Sequence, residues 1–366
     1  MITVPISKNG TIPLSHLIEI TKNFSKDLYL ISGDEGYNTN KNSKDIITYN
    51  ISSNVDNKFS SIFQYIKIQC QISYFIIKLR KKVDINIFFF GGESLWLPLI
   101  ISRLLRKKSI VILTGNPTKH SGQNEIIINL RKLINRFVFF ISNEIVVYTE
   151  NIIKERNLEE YENKIKIAHQ HFLNFNNFKN SNPFKERKNN IGFIGELREL
   201  KGIMNLVEAM PQIIDEKKDV QLLIIGKGKL DNKIHKFIED NSLKNNIKMI
   251  GWVDNYKLPD YLNNLKLLIL PSYSEGLPGV IVESMACGTP VLTTNVGSIP
   301  DIIENHKNGF ILDDNNSKCI SKSVLGILKS DEINKISENA QKTANKKFSY
   351  NNALNLWKKV YCENDG

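Results

Sequence analysis

The chain has 366 residues, 41% of them apolar, and carries 49 Lys and Arg against 38 Asp and Glu for a net charge of +11. Such a length exceeds one compact core of ordinary size and predicts two domains. Four cysteines (Cys70, Cys287, Cys319, Cys362) without C-x-x-C spacing argue against a zinc site or a disulfide framework and fit a reducing compartment.

In chain order, short apolar runs alternate with longer amphipathic ones, the pattern of β-α units around parallel sheets. The first half reads as strands at Ile2–Ile6, Leu28–Ile31, Ile85–Phe90, Ile110–Leu113 and Ile145–Tyr148, with helices at Leu14–Phe24, Ile62–Arg80 and Leu95–Arg106. Asn174–Asn190 is polar, rich in Asn and Lys and broken by Pro183, and reads as the connection between domains. A second series follows, with strands at Ile191–Ile194, Leu222–Ile225, Ile247–Ile250, Leu267–Leu270 and Val291–Thr293. Its helices are Gly202–Asp215, Lys229–Asn241 and Val280–Cys287, and a last amphipathic run covers Ala340–Tyr361. The expected division is 1–182 and 183–343, with a C-terminal helix at 344–366 packing back on the first domain.

Charge is uneven along the chain. Residues 1–182 hold 24 cations against 15 anions, and residues 183–366 hold 25 against 23, so the halves carry +9 and +2. A basic half suits an anionic membrane surface or a phosphorylated acceptor, and equally a solvated basic face. Nucleic acid is not expected, because the cations lack interleaved aromatics and no nucleic-acid motif is present. Met1–Ile6 is too short for the core of a secretory signal, and the apolar runs fall short of the ~20 residues of a spanning helix.

The chemistry concentrates in Pro271–Gly288, PSYSEGLPGVIVESMACG. A strand runs into a loop carrying Glu275, Gly276, Leu277, Pro278 and Gly279, and a helix begins. Pro278 suits a first helical turn, Gly279 permits close approach of a ligand, and open N–H groups at a helix start favour a diphosphate. Glu275 before that start and Glu283 inside the helix could accept hydrogen bonds from sugar or ribose hydroxyls. Taken alone, a helical glutamate is more often solvated or capping.

This segment closely resembles the donor-binding signature of the family 4 retaining glycosyltransferases, in Pro271-Ser272, Glu275-Gly276, Glu283 eight positions on, and Gly288-Thr289-Pro290-Val291. Phe193–Leu197 followed by Lys201-Gly202 resembles the family's Gly-Arg-Leu-x-x-x-Lys-Gly turn, with Glu196 where the arginine stands and Arg198 two positions later. The resemblance implies a GT-B architecture, two doubly wound Rossmann-like α/β domains facing across a cleft. It implies that Glu275 contacts the transferred sugar, Glu283 the ribose, the backbone at Gly279 and Val280 the phosphate or sugar, and Lys201 the diphosphate. Arg198 stands level between a phosphate role and a surface one. Gly251-Trp252-Val253 resembles the turn that meets the nucleobase. Gly10, in the first strand-to-helix loop, corresponds to a glycine near the diphosphate, and Asn116 and His120 are the candidates on the acceptor side. The remaining histidines (His16, His169, His171, His235, His306) show no ligand spacing.

No D-x-D pair is present, and the resemblance implies transfer without a metal or other cofactor. The expected function is a retaining transfer from a nucleotide-sugar donor to a glycan or lipid-linked acceptor, in surface polysaccharide or glycolipid assembly. The expected setting is the cytoplasm, at the inner face of the cell membrane where the basic domain makes contact. A non-catalytic nucleotide-sugar-binding protein of the same fold and a nucleotide-sugar epimerase are the alternatives, the glutamate pair with Lys201-Gly202 opposing the second. For membrane contact, Leu95–Lys108 reads as a core helix whose basic end complements its dipole. Ile126–Ile141 reads equally as core or as interfacial helix.

Overall fold

The computed structural model describes residues 1–4, 11–51, 60–114 and 125–362. They form two compact units, one within Met1–Thr114, Ser121–His171 and Ala353–Gly366, the other within Phe172–Asn352.

The first unit runs β1 (Ile2–Val4), α1 (Thr11–Lys22), β2 (Leu28–Ser32), α2 (Asp34–Asn40), β3 (Ile46–Asn50), α3 (Ser60–Lys78) and β4 (Ile85–Phe88). It continues with α4 (Trp96–Leu104), β5 (Lys108–Leu113), α5 (Glu125–Ile141), β6 (Glu144–Val147), α6 (Glu150–Arg156) and β7 (Ile165–Ile167). All strands are parallel in the order β3-β2-β1-β4-β5-β6-β7. Central strands such as β2 and β6 are buried along their whole length, as a sheet covered on both faces requires. Ile72 and Ile76 of α3, Leu79 just after it, Leu99 of α4 and Val138 and Phe139 of α5 pack with Val111, Leu113, Ile145 and Val147 into one core. Lys164 closes the C-terminal end of α5, donating to the carbonyls of Phe139, Phe140 and Ser142 at 3.0, 2.7 and 3.2 Å. A pair between half-buried Lys108 and buried Glu144, Nζ to Oε1 at 2.7 Å, joins neighbouring strands β5 and β6.

The second unit runs β8 (Asn190–Ile194), α7 (Ile203–Glu216), β9 (Gln221–Ile225), α8 (Asp231–Asp240), β10 (Ile247–Gly251), α9 (Leu258–Leu262) and β11 (Leu267–Leu270). Then come α10 (Gly279–Ala286), β12 (Val291–Thr294), β13 (Phe310–Leu312), α11 (Ser317–Lys329) and α12 (Ile333–Lys347), and the last helix, α13 (Tyr350–Cys362), passes into the first unit from Ala353 onward. Its parallel order is β10-β9-β8-β11-β12-β13. The order reverses between β8 and β11, and in open parallel sheets the crevice at the carboxyl ends of such a pair is where ligands sit.

Two readings of the sequence change. Asn174–Asn190 is not a free connection: Phe178, Phe184 and Arg187 are buried within the second unit. The Arg187 guanidinium donates to Asn182 O, Leu265 O, Gly288 O, Cys287 O, Thr289 Oγ1 and Asn180 Oδ1, which builds the segment into that unit. The run Ala340–Tyr361 is two helices, because α12 ends before the buried Phe348 and α13 begins at Tyr350. Residues from Ala353 onward belong to the first unit, where Trp357 is buried and Tyr361 Oη lies 2.9 Å from Thr21 Oγ1.

Candidate functional site

The two loops at the reversal of the second sheet carry the residues singled out by sequence. After β8 the chain turns through Gly195, Glu196, Leu197 and Arg198 and reaches Lys201 and Gly202, where α7 begins. Gly202 has φ +65, and a Cβ there would lie 2.0 Å from Pro271 O, so only glycine lets this turn touch the end of β11. Tyr273 N donates to Leu200 O at 2.9 Å and fastens the two loops to each other. From the other side, Gly297 (φ +59) brings the turn after β12 so close that a Cβ would sit 2.1 Å from Glu275 O, while Ser298 N donates to Gly276 O at 2.9 Å. Thr294 Oγ1 adds a bond to Ser272 O.

Within this clamp, Lys201 Nζ lies 2.6 Å from Glu275 Oε1, and Ser272 Oγ donates to the same oxygen at 2.7 Å. Both charged side chains are largely buried, at 17% and 7% exposure, so their attraction is much stronger than that of a surface pair. Leu277 turns into the core, and Pro278 is the N-cap of α10 without a side-chain cap on the first amides. Those amides remain available to an anion.

Glu283 lies one turn into α10, and its Oε1 is 4.0 Å from where a Gly279 Cβ would be, so the carboxyl folds back toward the helix start. Asn255 Nδ2 donates to that oxygen at 2.9 Å. Burial pushes the Glu283 carboxyl up to about 7, and the Asn255 hydrogen bond only partly offsets it.

A cavity of about 260 Å³ opens over these elements, lined by Gly195, Glu196, Lys201, Trp252, Val253, Pro278, Gly279 and Val280 with the ends of β8, β9 and β11. Most of the sequence-selected donor residues therefore meet: Lys201, Trp252, Val253, Pro278, Gly279 and Val280 on the wall, Glu275 through its pair with Lys201, Glu283 beside Gly279. Arg198 is not on that wall; it is 44% exposed, with Nε 3.3 Å from Glu196 Oε2. Gly10, Asn116 and His120 lie outside the described residues. Among the described residues no cluster of three or more His, Cys, Asp and Glu is arranged to hold a metal ion.

Sequence reasoning missed Asn255, Gly297 and Ser298. The first stands 28 residues from Glu283 in a short turn, and nothing in its neighbourhood distinguishes it from other surface asparagines. The other two stand in the turn after β12, where nothing local signals what they touch.

Residues 174–345 match the model of the glycosyl transferases group 1 family. An uncharacterized glycosyltransferase of Methanocaldococcus jannaschii is 32% identical over 181 residues, 49% of this chain and 50% of that one. The capsular polysaccharide biosynthesis glycosyltransferase CapM of Staphylococcus aureus is 27% identical over 236 residues, 59% of this chain and 60% of the relative. The chain thus spans about half to three fifths of the length of these relatives. Anabaena HepE, solved in complex with UDP, superposes with a TM-score of 0.78 at 15% identity, covering 98% of both chains. A glycosyltransferase of Rickettsia africae gives 0.73 at 22% identity, over 98% of this chain and 97% of that one. These likenesses span both units, and the fold is GT-B.

Proposed function

We propose, from the match of residues 174–345 to the glycosyl transferases group 1 family, that the chain moves a sugar from a nucleotide-diphosphate donor to a glycan or lipid-linked acceptor with retention at the anomeric carbon. The observation that carries the reading is the Lys201 ammonium held 2.6 Å from Glu275 Oε1 on the wall of a cavity that ends at the uncapped start of α10.

The donor diphosphate rests on the amides of Gly279 and Val280. As the bond from the anomeric carbon to the diphosphate oxygen breaks, negative charge grows on that oxygen. Lys201 and the α10 amides are positioned to receive it without reorganising, the arrangement that lowers a barrier most. No metal is invoked in this step. Glu275 holds Lys201 and accepts from hydroxyls of the transferred sugar, and the acceptor hydroxyl attacks the anomeric carbon from the leaving-group face, giving its proton to the departing diphosphate oxygen. Glu283, held by Asn255, takes the ribose diol, and the Trp252-Val253 turn faces the base. Support for a nucleotide-sugar donor comes from HepE, solved with UDP and with UDP-glucose. Support for a polysaccharide setting comes from CapM and from a colanic acid biosynthesis glycosyltransferase of Escherichia coli.

The test is a thermal-shift screen against UDP-, GDP-, ADP- and dTDP-sugars without added metal, followed by assay of nucleotide release with the donor that binds. Ligand binding to the folded state raises its melting temperature. A shift with one donor, weakened in Glu283→Ala, and nucleotide release abolished in Lys201→Ala are expected. Binding without any release would favour a non-catalytic nucleotide-sugar binder; no shift with any donor would refute the site itself.

A further inference from the structure

In the first unit, α3, α4 and α5 lie side by side on one face of the sheet, α4 packed against both of its neighbours. Their inner residues form the core already described. Their outer residues include large apolar side chains among the polar ones that a solvated helix layer carries. On α5, Leu130, Leu133, Phe137 and Phe140 are 56, 66, 43 and 73% exposed. The spacing of three, four and three residues places them on one stripe of the helix. On α3, Phe63, Ile66, Tyr74 and Ile77 are 74, 51, 58 and 44% exposed at similar helical spacing, and Leu104 at the end of α4 is 73% exposed. Single exposed apolar residues are ordinary; a layer of nine marks an interaction surface.

The charges of the same helices say what kind of surface it meets. The three carry Lys67, Lys78, Arg103, Arg131, Lys132 and Arg136 against one carboxylate, Glu125. Lys132 and Arg136 are exposed beside the α5 stripe, and Lys164 lies 5.9 Å from the Phe140 ring. Glu160 approaches Arg136 to 3.6 Å and shares only that one charge. A second copy of this chain would set the same cations against each other across a two-fold contact. An anionic bilayer satisfies both features at once: phosphates meet the cations while leucine and phenylalanine side chains dip below the headgroups. Among the described residues no helix is long and apolar enough to cross a membrane, so this is attachment and not insertion.

We infer that the α3-α4-α5 face docks the chain on anionic lipid, with the α5 stripe as its apolar anchor. The inference builds on the lipid-linked acceptor of the proposed function but does not use its chemistry. It also resolves the two ways in which Ile126–Ile141 reads from sequence: α5 is a core helix on one side and an interfacial helix on the other.

The experiment is flotation of the full chain with phosphatidylcholine vesicles and with vesicles of phosphatidylcholine and phosphatidylglycerol at a 7:3 ratio, across a salt series. Expected is binding to the anionic vesicles that falls with salt, and at least a tenfold loss of partitioning in Leu133→Ser/Phe140→Ser. The double variant's melting temperature checks its fold, and Lys132→Glu/Arg136→Glu, which leaves the apolar residues in place, provides an independent loss. Failure of wild type to float with anionic vesicles, or equal flotation of wild type and both variants, overturns the inference. So does a dimer of wild type in gel filtration that Leu133→Ser/Phe140→Ser dissolves, because the face would then be covered by a second copy. Donor-induced thermal shifts are read separately, since the described residues of that site lie in the second unit and none is on α3, α4 or α5. A chain that floats but shows no donor shift therefore sinks the donor reading alone.

Discussion

Replacing Arg187 by Met tests how the second unit is held together beneath its candidate site. Arg187 is 4% exposed, has no carboxylate partner among the described residues, and makes six hydrogen bonds at 2.6 to 3.4 Å. Two of its acceptors, Cys287 O and Gly288 O, lie at the C-terminal end of α10, where a cation is also favoured by the helix dipole. Burial works against the charge and lowers the pKa to about 10. That shift from 12.5 corresponds to about 3 kcal/mol of desolvation. Hydrogen bonds from a charged group net about 1.5–3 kcal/mol each when made singly. Because they share one cation and its desolvation, their sum far overstates the loss. Removing one side of such a buried network costs about 3–5 kcal/mol. For a unit of this size that predicts a fall in melting temperature of roughly 8–15 °C. Arg187→Lys keeps the charge and its desolvation but offers three donors in place of five, and should lose at least half as much. Urea and thermal unfolding of the three proteins would measure this; a Met variant within about 1 kcal/mol of wild type would refute the assignment of Arg187 as the tie between Asn180–Asn182 and α10.

The remaining expectations concern the site and the first unit. Glu275→Gln leaves the fold intact but weakens the hold on Lys201, so nucleotide release should fall by about 10²–10³-fold, as for loss of one preorganised charge-stabilising contact; a fall below threefold would exclude that role. Glu283 holds its proton up to about pH 7 in the folded state against 4.5 unfolded, so the folded state binds more protons between those values and stability declines as pH rises through that window. Glu283→Gln should therefore gain up to about 3 kcal/mol at pH 8, whereas donor affinity of wild type should rise as pH passes 7 and the carboxylate forms; titration calorimetry giving a pH-independent affinity would contradict this. Burial holds His16 down to about 4, opposed by its hydrogen bond with Gln170, and burial with the neighbouring His169 and His16 holds His171 down to about 3. Both are depressed relative to the unfolded 6.5, so their stability contribution is present above pH 6.5 and lost as pH falls toward 4 and 3, about 2 kcal/mol for each at pH 5. His171→Phe should flatten that loss in urea melts at pH 7 and 5. Gly202→Ala, forced into a left-handed turn against Pro271 O, should lower both stability and donor binding, which melting with and without donor would show.

The architecture was written in the chain because buried parallel strands such as Leu267–Leu270 leave unbroken apolar runs that few other structures produce. Three of the four edge strands escaped: β3 is half exposed and carries Thr48, Tyr49 and Asn50, and β7 and β13 have three residues each. Asn174–Asn190 was misread for a related reason. Its polar composition describes a surface segment, while its place in the unit depends on Phe178, Phe184 and Arg187, three residues among many Asn and Lys. Lys201, Glu275 and Glu283 were singled out through the resemblance to a family motif, since each alone reads as a solvated side chain, and Gly279 through its place at a helix start. Asn255 and the Gly297 clamp were not, because long-range approach between turns leaves no local pattern. Glu196 and Arg198 show the opposite limit: the pairing found between them satisfies both charges at the surface, a solution the sequence left open.

The reversal between β8 and β11 also sets when the site can come into existence. Lys201 and Glu275 are 74 residues apart, and β9, α8, β10 and α9 are threaded between them on the far side of β8. Closing a contact of that separation is slow relative to forming the local β-α units, and it is entropically costly until those units are in place. On the ribosome the last clamp, Gly297 and Ser298 against Glu275 and Gly276, must await synthesis of a further strand. A nascent chain ending before β12 therefore holds Lys201 and Glu275 on loops joined through Tyr273 N and Leu200 O but still without the Gly297 and Ser298 clamp, and the site is completed late.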